Sequence, residues 1–472
     1  MEYDGIIELG SEVGPKGLDG SPIYDLRQHK RLKIPKYRQP SLNQEFQRSI
    51  YVSQFRSQFI KMTREEFHVD PVKDAFDRFL FAQIAVPKTM RTTSDPLFCR
   101  PELAYETDIL SVQLFNVIPS SNYIPWKLRN NRKEIFNIIN KWKQNAYQWF
   151  SQHENKYSEE AKTACKEIKF FGNNNTIQKQ FIDLQDRCRP YFVEATKQGM
   201  ERIGEFMCVE AHKYVNTLQS VQDNSVNVIV EDHTTYYTLT YNGDIQKVSK
   251  IHAEKLRRLF EMTALLPFTK IDESIWILLR RYTTFFGDTS ASMHAASPET
   301  TFRYLKQLGV SHECFASPFN CYFSNYNSAF LDTDAPFGSR GSFFDFSPKT
   351  GSFEVGPPYT LEVMEKTAQR CEMLLSQTDE PLSFILFNPD WRKPLQPAQI
   401  ITESSQFLQE NIMVKGKTHQ YVIGDQHNKN TSRHFILPFD TRIYVLQNKA
   451  GAEKWPLPNS FSTDIIKSLI IS

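Results

Sequence analysis

The residues best suited to do chemistry lie together in GSFEVGPPY (Gly351–Tyr359), where a strand-like segment runs into a Gly-Pro-Pro-aromatic turn. Such a turn suits work on an exocyclic amino group of a nucleobase. The N6 amine of adenine is a poor nucleophile, because its lone pair is delocalised into the ring. Two acceptors on its N–H groups leave the nitrogen pyramidal and aim the lone pair at a methyl donor. A side-chain oxygen and a prolyl carbonyl can supply those acceptors, and an aromatic face can stack on the base. Pro357, Pro358 and Tyr359 match the second and third requirements. Gly356 stands where such turns usually carry Asn, Asp or Ser, and it has no side-chain oxygen to meet the first.

By itself a Pro-Pro-Tyr turn is a weak signal, so the elements around it carry the reading. Ser352–Val355 reads as a short strand before the turn and Leu361–Leu375 as an amphipathic helix after it. LSFILF (Leu382–Phe387) is the continuous apolar run of a central parallel strand. Upstream, Pro298–Leu308 reads as a short helix capped by Ser297. CFASPFNCYF (Cys314–Phe323) reads as a strand with its following loop, and Ser342–Phe346 as another short strand. His434–Pro438 and Arg442–Gln447 are strands that could close the sheet. Strands alternating with helices predict a doubly wound α/β sheet, which binds ligands at the carboxyl ends of its strands. Asn388-Pro389-Asp390-Trp391 has an Asn-Pro-x-aromatic pattern too, but its place after the next strand argues against a catalytic role.

The first half reads differently. Residues 1–44 form an expected mobile tail, whose Arg27, Lys30, Arg31, Lys33, Lys36 and Arg38 suit a solvated surface, nuclear import or phosphate binding. Residues 45–224 read as a helical domain. Phe46, Ile50, Phe55 and Phe59 recur at helical spacing, and Asp70-Pro71 caps a second helix. Asn131–Phe150 is amphipathic, and Phe181–Leu218 is a helical run interrupted by Pro190. Arg100, Arg129 and Arg132 lie near helix ends, where surface charge is the simpler reading and a phosphate contact the sharper one. Residues 225–296 open with alternating Val, Thr and Tyr around Asn242-Gly243, a hairpin signal, and continue into helices near Lys250–Met262 and Ile275–Tyr282. Residues 297–472 form the α/β domain.

Composition bounds the function. The chain has 472 residues, 13% of them aromatic, which suits folded domains over extended disorder. A net charge of +2 means that any nucleic-acid contact must come from local basic patches. The seven Cys form no CxxC pair and are odd in number, so no zinc site or disulfide framework is expected and a reducing compartment fits. No apolar run approaches a membrane span and the N-terminus lacks a signal-peptide layout, so an intracellular protein without membrane contact is expected.

At this point an extended resemblance appears. Ala316–Phe346 (ASPFNCYFSNYNSAFLDTDAPFGSRGSFFDF), Gly351–Tyr359, Glu380–Pro394 (EPLSFILFNPDWRKP) and Tyr444–Pro456 (YVLQNKAGAEKWP) resemble the cap-specific adenosine-N6 methyltransferases, the phosphorylated-CTD-interacting factor family. The resemblance implies a Rossmann-like S-adenosylmethionine-dependent methyltransferase domain preceded by a mostly helical domain. It also implies a nuclear protein that methylates N6 of 2′-O-methyladenosine beside the mRNA cap. Gly356, Pro357, Pro358 and Tyr359 occupy the positions of the family's Asn-Pro-Pro-Phe motif. Leu361 stands where a Glu is expected beside the substrate. Trp391, Arg392 and Pro394 match an RNA-side stretch, with His419 and Tyr421 following. For the cofactor, Ser317, Pro318, Phe319 and Asn320 form the first candidate loop. Phe337, Gly338 and Ser339 form a second Gly-containing candidate, with Arg340 beside it as an ion-pair or ligand residue. No WW module is expected, which weakens the family's link to the phosphorylated tail of RNA polymerase II.

Three functions follow. One is an RNA adenine N6-methyltransferase slowed by the loss of the acceptor at 356, a group typically worth on the order of 10²–10³-fold in rate. The second is a pseudoenzyme that binds capped RNA or a transcription partner. The third is an amino-methyltransferase for another substrate, such as DNA.

Overall fold

A computed structural model describes residues 16, 24–26, 34–67, 71, 75–106, 131–152, 158–222, 226–287, 294–391, 395–424, 427 and 434–470. Arg27, Lys30, Arg31, Lys33, Asp70, Arg129, Arg392 and Pro394 lie outside them. The chain forms two compact units. One comprises residues 1–50, 80–100 and 217–472; the other comprises residues 51–79 and 101–216.

The first unit is mixed α/β. Its strands are β1 (Ile229–Asp232), β2 (Tyr236–Tyr241), β3 (Asp244–Ser249), β4 (Val310–Glu313), β5 (Gly351–Val355), β6 (Leu382–Pro389), β7 (Leu408–Val414), β8 (Gln420–Val422), β9 (His434–Ile436) and β10 (Thr441–Gln447). The main sheet has the order β4-β5-β6-β10-β7. β4, β5 and β6 are parallel, and β10 runs antiparallel to both β6 and β7. All eight residues of β6 are buried, as its unbroken apolar run requires of a strand covered on both faces. One face carries Ile385, Phe387, Ile443 and Val445 into a core with Phe302, Leu305, Tyr322 and Phe323.

Several elements depart from expectation. The strand beside Cys314 is Val310–Glu313, and CFASPFNCYF is its loop. Ser342 caps a 3₁₀ turn, Phe343–Asp345, where a strand was expected: its hydroxyl accepts from the Phe344 amide, closing the backbone locally. β9 pairs with β8 in a separate two-stranded sheet. Pro298, instead of Ser297, precedes the helix Glu299–Gln307.

β1–β3 form their own antiparallel sheet. Asn242 (φ 48°) and Gly243 (φ 79°) make the turn between β2 and β3, the positive-φ pair that a two-residue hairpin demands. Ser249 caps the helix Lys250–Thr263 through the His252 amide, and Ile271–Phe286 is the next long helix.

The expected mobile tail is corrected at Tyr24–Leu26. These residues are buried, Asp25 N–H donates to the Tyr322 carbonyl, and its carboxylate pairs with Lys306 at 2.5 Å. Arg281, fully buried on Ile271–Phe286, bonds both Glu45 and Asp332, while Arg48 pairs with Glu45 and Asp95. The stretch before residue 50 therefore belongs with the α/β unit, because burying the Arg281 charge requires those carboxylates.

The second unit is helical where described. Ile135, Ile139, Trp142, Phe181, Leu184 and Cys188 share a core. Helix Asn174–Gln219 continues through position 190, where an interruption was expected. His212, Cys208 and Glu102 bring three donor atoms within 4.8 Å of one another, a grouping the expectation of no metal ligands did not foresee. It falls one short of the four ligands of a structural zinc site.

Candidate functional site

The sheet places β4 and β5 side by side, so the loops leaving their carboxyl ends converge. The loop after β4 carries Ala316–Asn320 and the loop after β5 carries Gly356–Tyr359. Between them lies a cavity of about 330 Å³, within the range of small-molecule sites. Gly356, Pro357, Pro358 and Tyr359 line it together with Phe315, Ala316 and Asn320. His294, Tyr282, Phe286, Tyr421 and Phe439 complete much of the wall.

The turn has separated its two prolyl carbonyls. Thr360 N–H donates to the Pro358 carbonyl at 2.8 Å, while the Pro357 carbonyl has no partner among the described residues. The Tyr359 ring meets Trp391 at 6.4 Å and Phe439 at 6.1 Å, both steeply inclined, and its hydroxyl lies 2.8 Å from that of Tyr421. Burial, then the Tyr421 hydroxyl, holds the Tyr359 phenol well above its ordinary range; burial pushes Tyr421 up to about 12. Both hydroxyls are therefore neutral at physiological pH. Leu361, at the position expected to hold Glu, packs with Tyr359 and Trp391 against Met364, Ala368 and Ala398.

Across the cavity, Ser317 and Asn320 close on each other. Asn320 Oδ1 accepts from the Ser317 amide at 2.7 Å and from its hydroxyl at 2.9 Å. With that hydroxyl proton committed, His294 Nε2–H donates to Ser317 Oγ at 2.7 Å. His294 stacks on Phe286 at 4.7 Å and on Tyr282 at 5.2 Å. Burial, with His427 and Lys255 adding positive charge, pushes its pKa down to about 3, so the ring is neutral.

Sequence reasoning missed two acids. Glu313 ends β4 and Glu354 lies near the end of β5; they are register partners on adjacent strands, and both line the cavity. Glu313 accepts the Tyr322 and Phe323 amides at 2.8 and 2.9 Å. Glu354 is 4% exposed, and its carboxyl has no partner among the described residues. Burial pushes Glu313 up to about 8, and burial plus the neighbouring Glu313 raises Glu354 well above the carboxylate range. No Lys or Arg is among the described lining residues. The signal that could have found this pair is the placing of one Glu at each of two strand ends beside Pro-containing loops.

Other expected site residues lie off the cavity wall. Phe319 packs on Tyr282 and His427, and its carbonyl accepts from Lys255 Nζ at 2.9 Å. Pro318 is buried beside it. Phe337 packs against Phe260, Gly338 (φ 101°) closes the following turn, and the Ser339 hydroxyl bonds that of Ser328. Arg340 bonds Asn325. This second candidate loop is a packed support: its polar groups are turned inward to satisfy one another. His419 is buried between Thr441 Oγ1 and the Lys415 carbonyl at 2.8 and 2.9 Å, and meets Tyr421 edge-on. Trp391 reaches the site through Tyr359 and Phe439, whose rings it meets at 6.4 and 6.3 Å.

Fold and cavity together define the class: a mixed α/β protein with its site at the carboxyl ends of parallel strands. A family model described as "Phosphorylated CTD interacting factor 1 WW domain" matches residues 255–424. A relative from Homo sapiens, "mRNA (2'-O-methyladenosine-N(6)-)-methyltransferase", is 28% identical over 471 residues, covering 88% of this chain and 65% of its own length. The Mus musculus protein of the same description is 28% identical over 474 residues, covering 89% and 65%. The chain is similar to these members of the phosphorylated CTD interacting factor family, and it spans 65%, less than two thirds, of the length of these curated relatives. The matching model's description names a WW domain, against the expectation of a member without one. Here the matched stretch folds as helices and most of the α/β sheet. Among the described residues, no helix is long and apolar enough to cross a membrane.

Proposed function

We propose that the chain is a nuclear RNA adenine N6-methyltransferase that uses S-adenosylmethionine on 2′-O-methyladenosine next to the mRNA cap. In this reading β4, β5 and β6 are the parallel half of a Rossmann-like methyltransferase sheet. The observation that carries the reading is the shared cavity between the Gly356–Tyr359 turn and the Ala316–Asn320 loop. One loop holds the base and the other the methyl donor, at the distance of a single small-molecule site.

The lining suits that donor. S-adenosylmethionine is a sulfonium cation that supplies an electrophilic methyl group when bound. Two buried carboxyl groups, several aromatic faces and the lack of Lys or Arg among the described lining residues favour a cation over a phosphate. Asn320 and the Ala316 backbone would hold the donor, with Ser317 and His294 fixing Asn320. The Tyr359 face would stack on the adenine and the Pro357 carbonyl would accept one amine hydrogen. The cap phosphates would then lie outside this acidic cavity, on the side of Trp391.

The test is methyl transfer from labelled S-adenosylmethionine to capped RNA whose first nucleotide is 2′-O-methyladenosine, run beside calorimetry with S-adenosylhomocysteine. Transfer that requires both the cap and the 2′-O-methyl group is expected. Donor-analogue binding without any transfer would instead support a pseudoenzyme that binds capped RNA, a reading favoured by the missing side chain at Gly356. Transfer to DNA alone would replace RNA as the substrate. Association with the phosphorylated polymerase tail rests on the family description and is tested by retention on phosphorylated against unphosphorylated tail peptide.

A further inference from the structure

We propose that Glu354 is the hydrogen-bond acceptor for the target amine in this chain, its carboxyl taking up the space left open by the missing side chain at Gly356. This rests on the methyltransferase reading above and assigns the acceptor that the Gly-Pro-Pro-Tyr turn lacks. A Cβ built on Gly356 would stand 2.8 Å from Glu354 Oε1, so the end of this flexible carboxyl side chain lies where a side chain at 356 would begin. Residues two apart along an extended chain point to the same face, so an acceptor at 354 serves the same side of the sheet as one at 356. Glu354 is buried, lines the cavity and has no protein partner among the described residues. A buried carboxyl left unpaired is costly, and in a cavity beside a base-holding turn an amine supplies the missing partner. The Glu313 carboxyl on the neighbouring strand disfavours charge on Glu354 in the empty cavity; a cationic donor beside it favours the ionised form.

The step balances. The amine lone pair forms the new N–C bond as the donor's C–S bond breaks, and the C–S electron pair leaves with sulfur as a neutral thioether. One N–H of the amine is bonded to the Pro357 carbonyl and the other to Glu354. The proton released from nitrogen passes to the Glu354 carboxylate, leaving a neutral carboxylic acid and a neutral methylamine.

Two readouts test the assignment on the full chain. The first is fluorescence anisotropy with capped RNA, in the presence of S-adenosylhomocysteine. It compares a first nucleotide of 2′-O-methyladenosine with the purine analogue lacking the 6-amine. Wild type is expected to prefer the amine by about tenfold, the size of one charge-assisted hydrogen bond. Glu354→Ala loses that preference, and Glu354→Gln, which keeps a carbonyl oxygen, retains it. The second readout is methyl transfer. Glu354→Ala is expected to fall by on the order of 10²–10³-fold, and Glu354→Ala/Gly356→Asn to regain activity by restoring an acceptor at the neighbouring position. Melting curves of each variant confirm that the fold is retained. If wild type methylates but Glu354→Ala keeps both the amine preference and the rate, the assignment is overturned and the methyltransferase reading stands. If wild type neither methylates nor binds capped RNA, both fall together.

Discussion

Tyr359 and His294 show how single side chains are held ready. The Tyr359 hydroxyl is tied to Tyr421, which fixes a ring that lines the cavity. Tyr359→Phe is expected to change KM for capped RNA by less than about threefold. Tyr359→Ala should raise KM by about 10–100-fold, because stacking of a base on an aromatic ring is worth ~1–3 kcal/mol; steady-state kinetics checks both. His294 carries a pH dependence of known sign. Its folded-state pKa of about 3 lies below the ordinary 6.5, so the stability it contributes is present above pH 6.5 and is lost as pH falls toward 3. Denaturant unfolding at pH 7 and pH 5 should show a smaller loss for His294→Phe, which keeps the stacking partner, than for wild type.

At the scale of elements, two parallel strands bring two acids together. Glu313 and Glu354 are 41 residues apart in sequence yet partners in register. The raised pKa of Glu313, from 4.5 to about 8, has the opposite consequence to that of His294. Its favourable contribution is fully present below pH 4.5 and is lost as pH rises through 8. Glu313→Gln still accepts the Tyr322 and Phe323 amides but cannot ionise. Its melting temperature should therefore fall less than that of wild type between pH 6 and pH 9. The other long-range positioning device is Asn448. Its side chain receives the Leu382 and Gly451 amides and donates to the Thr378 and Glu380 carbonyls, pinning the start of β6 to the end of β10.

At the scale of the α/β unit, the segments before residue 50 and from 80 to 100 are structural parts of it. Arg281, Glu45, Arg48, Asp95 and Asp332 form one buried ionic group drawn from four distant stretches. Arg281→Ala leaves Glu45 buried beside fewer positive charges and is expected to cost about 3–5 kcal/mol, read as a lower denaturant midpoint. The Phe81 and Ile84 contributions to the cavity wall come from the same early segments. The site is thus assembled from residues separated by more than half the chain.

Local order was legible in the amino-acid sequence wherever a short-range rule governs. The Asn242-Gly243 turn, β5, the helix after Gly356-Pro357-Pro358-Tyr359 and the fully buried, mostly apolar β6 follow from turn chemistry and periodicity alone. Of the first candidate loop, Asn320 lines the cavity and Ser317 is bonded to it, while Pro318 and Phe319 pack away from the wall. The second loop at Phe337–Ser339 did not reach the cavity, because a Gly that permits ligand approach and a Gly that closes a packed turn look alike in sequence. Gly356 is the sharpest case. Read in its motif, it is a missing oxygen. In the fold it is the space beside the Glu354 carboxyl, which is buried over the cavity next to Glu313 by the pairing of β4 with β5, a long-range contact that no local spacing along the chain records.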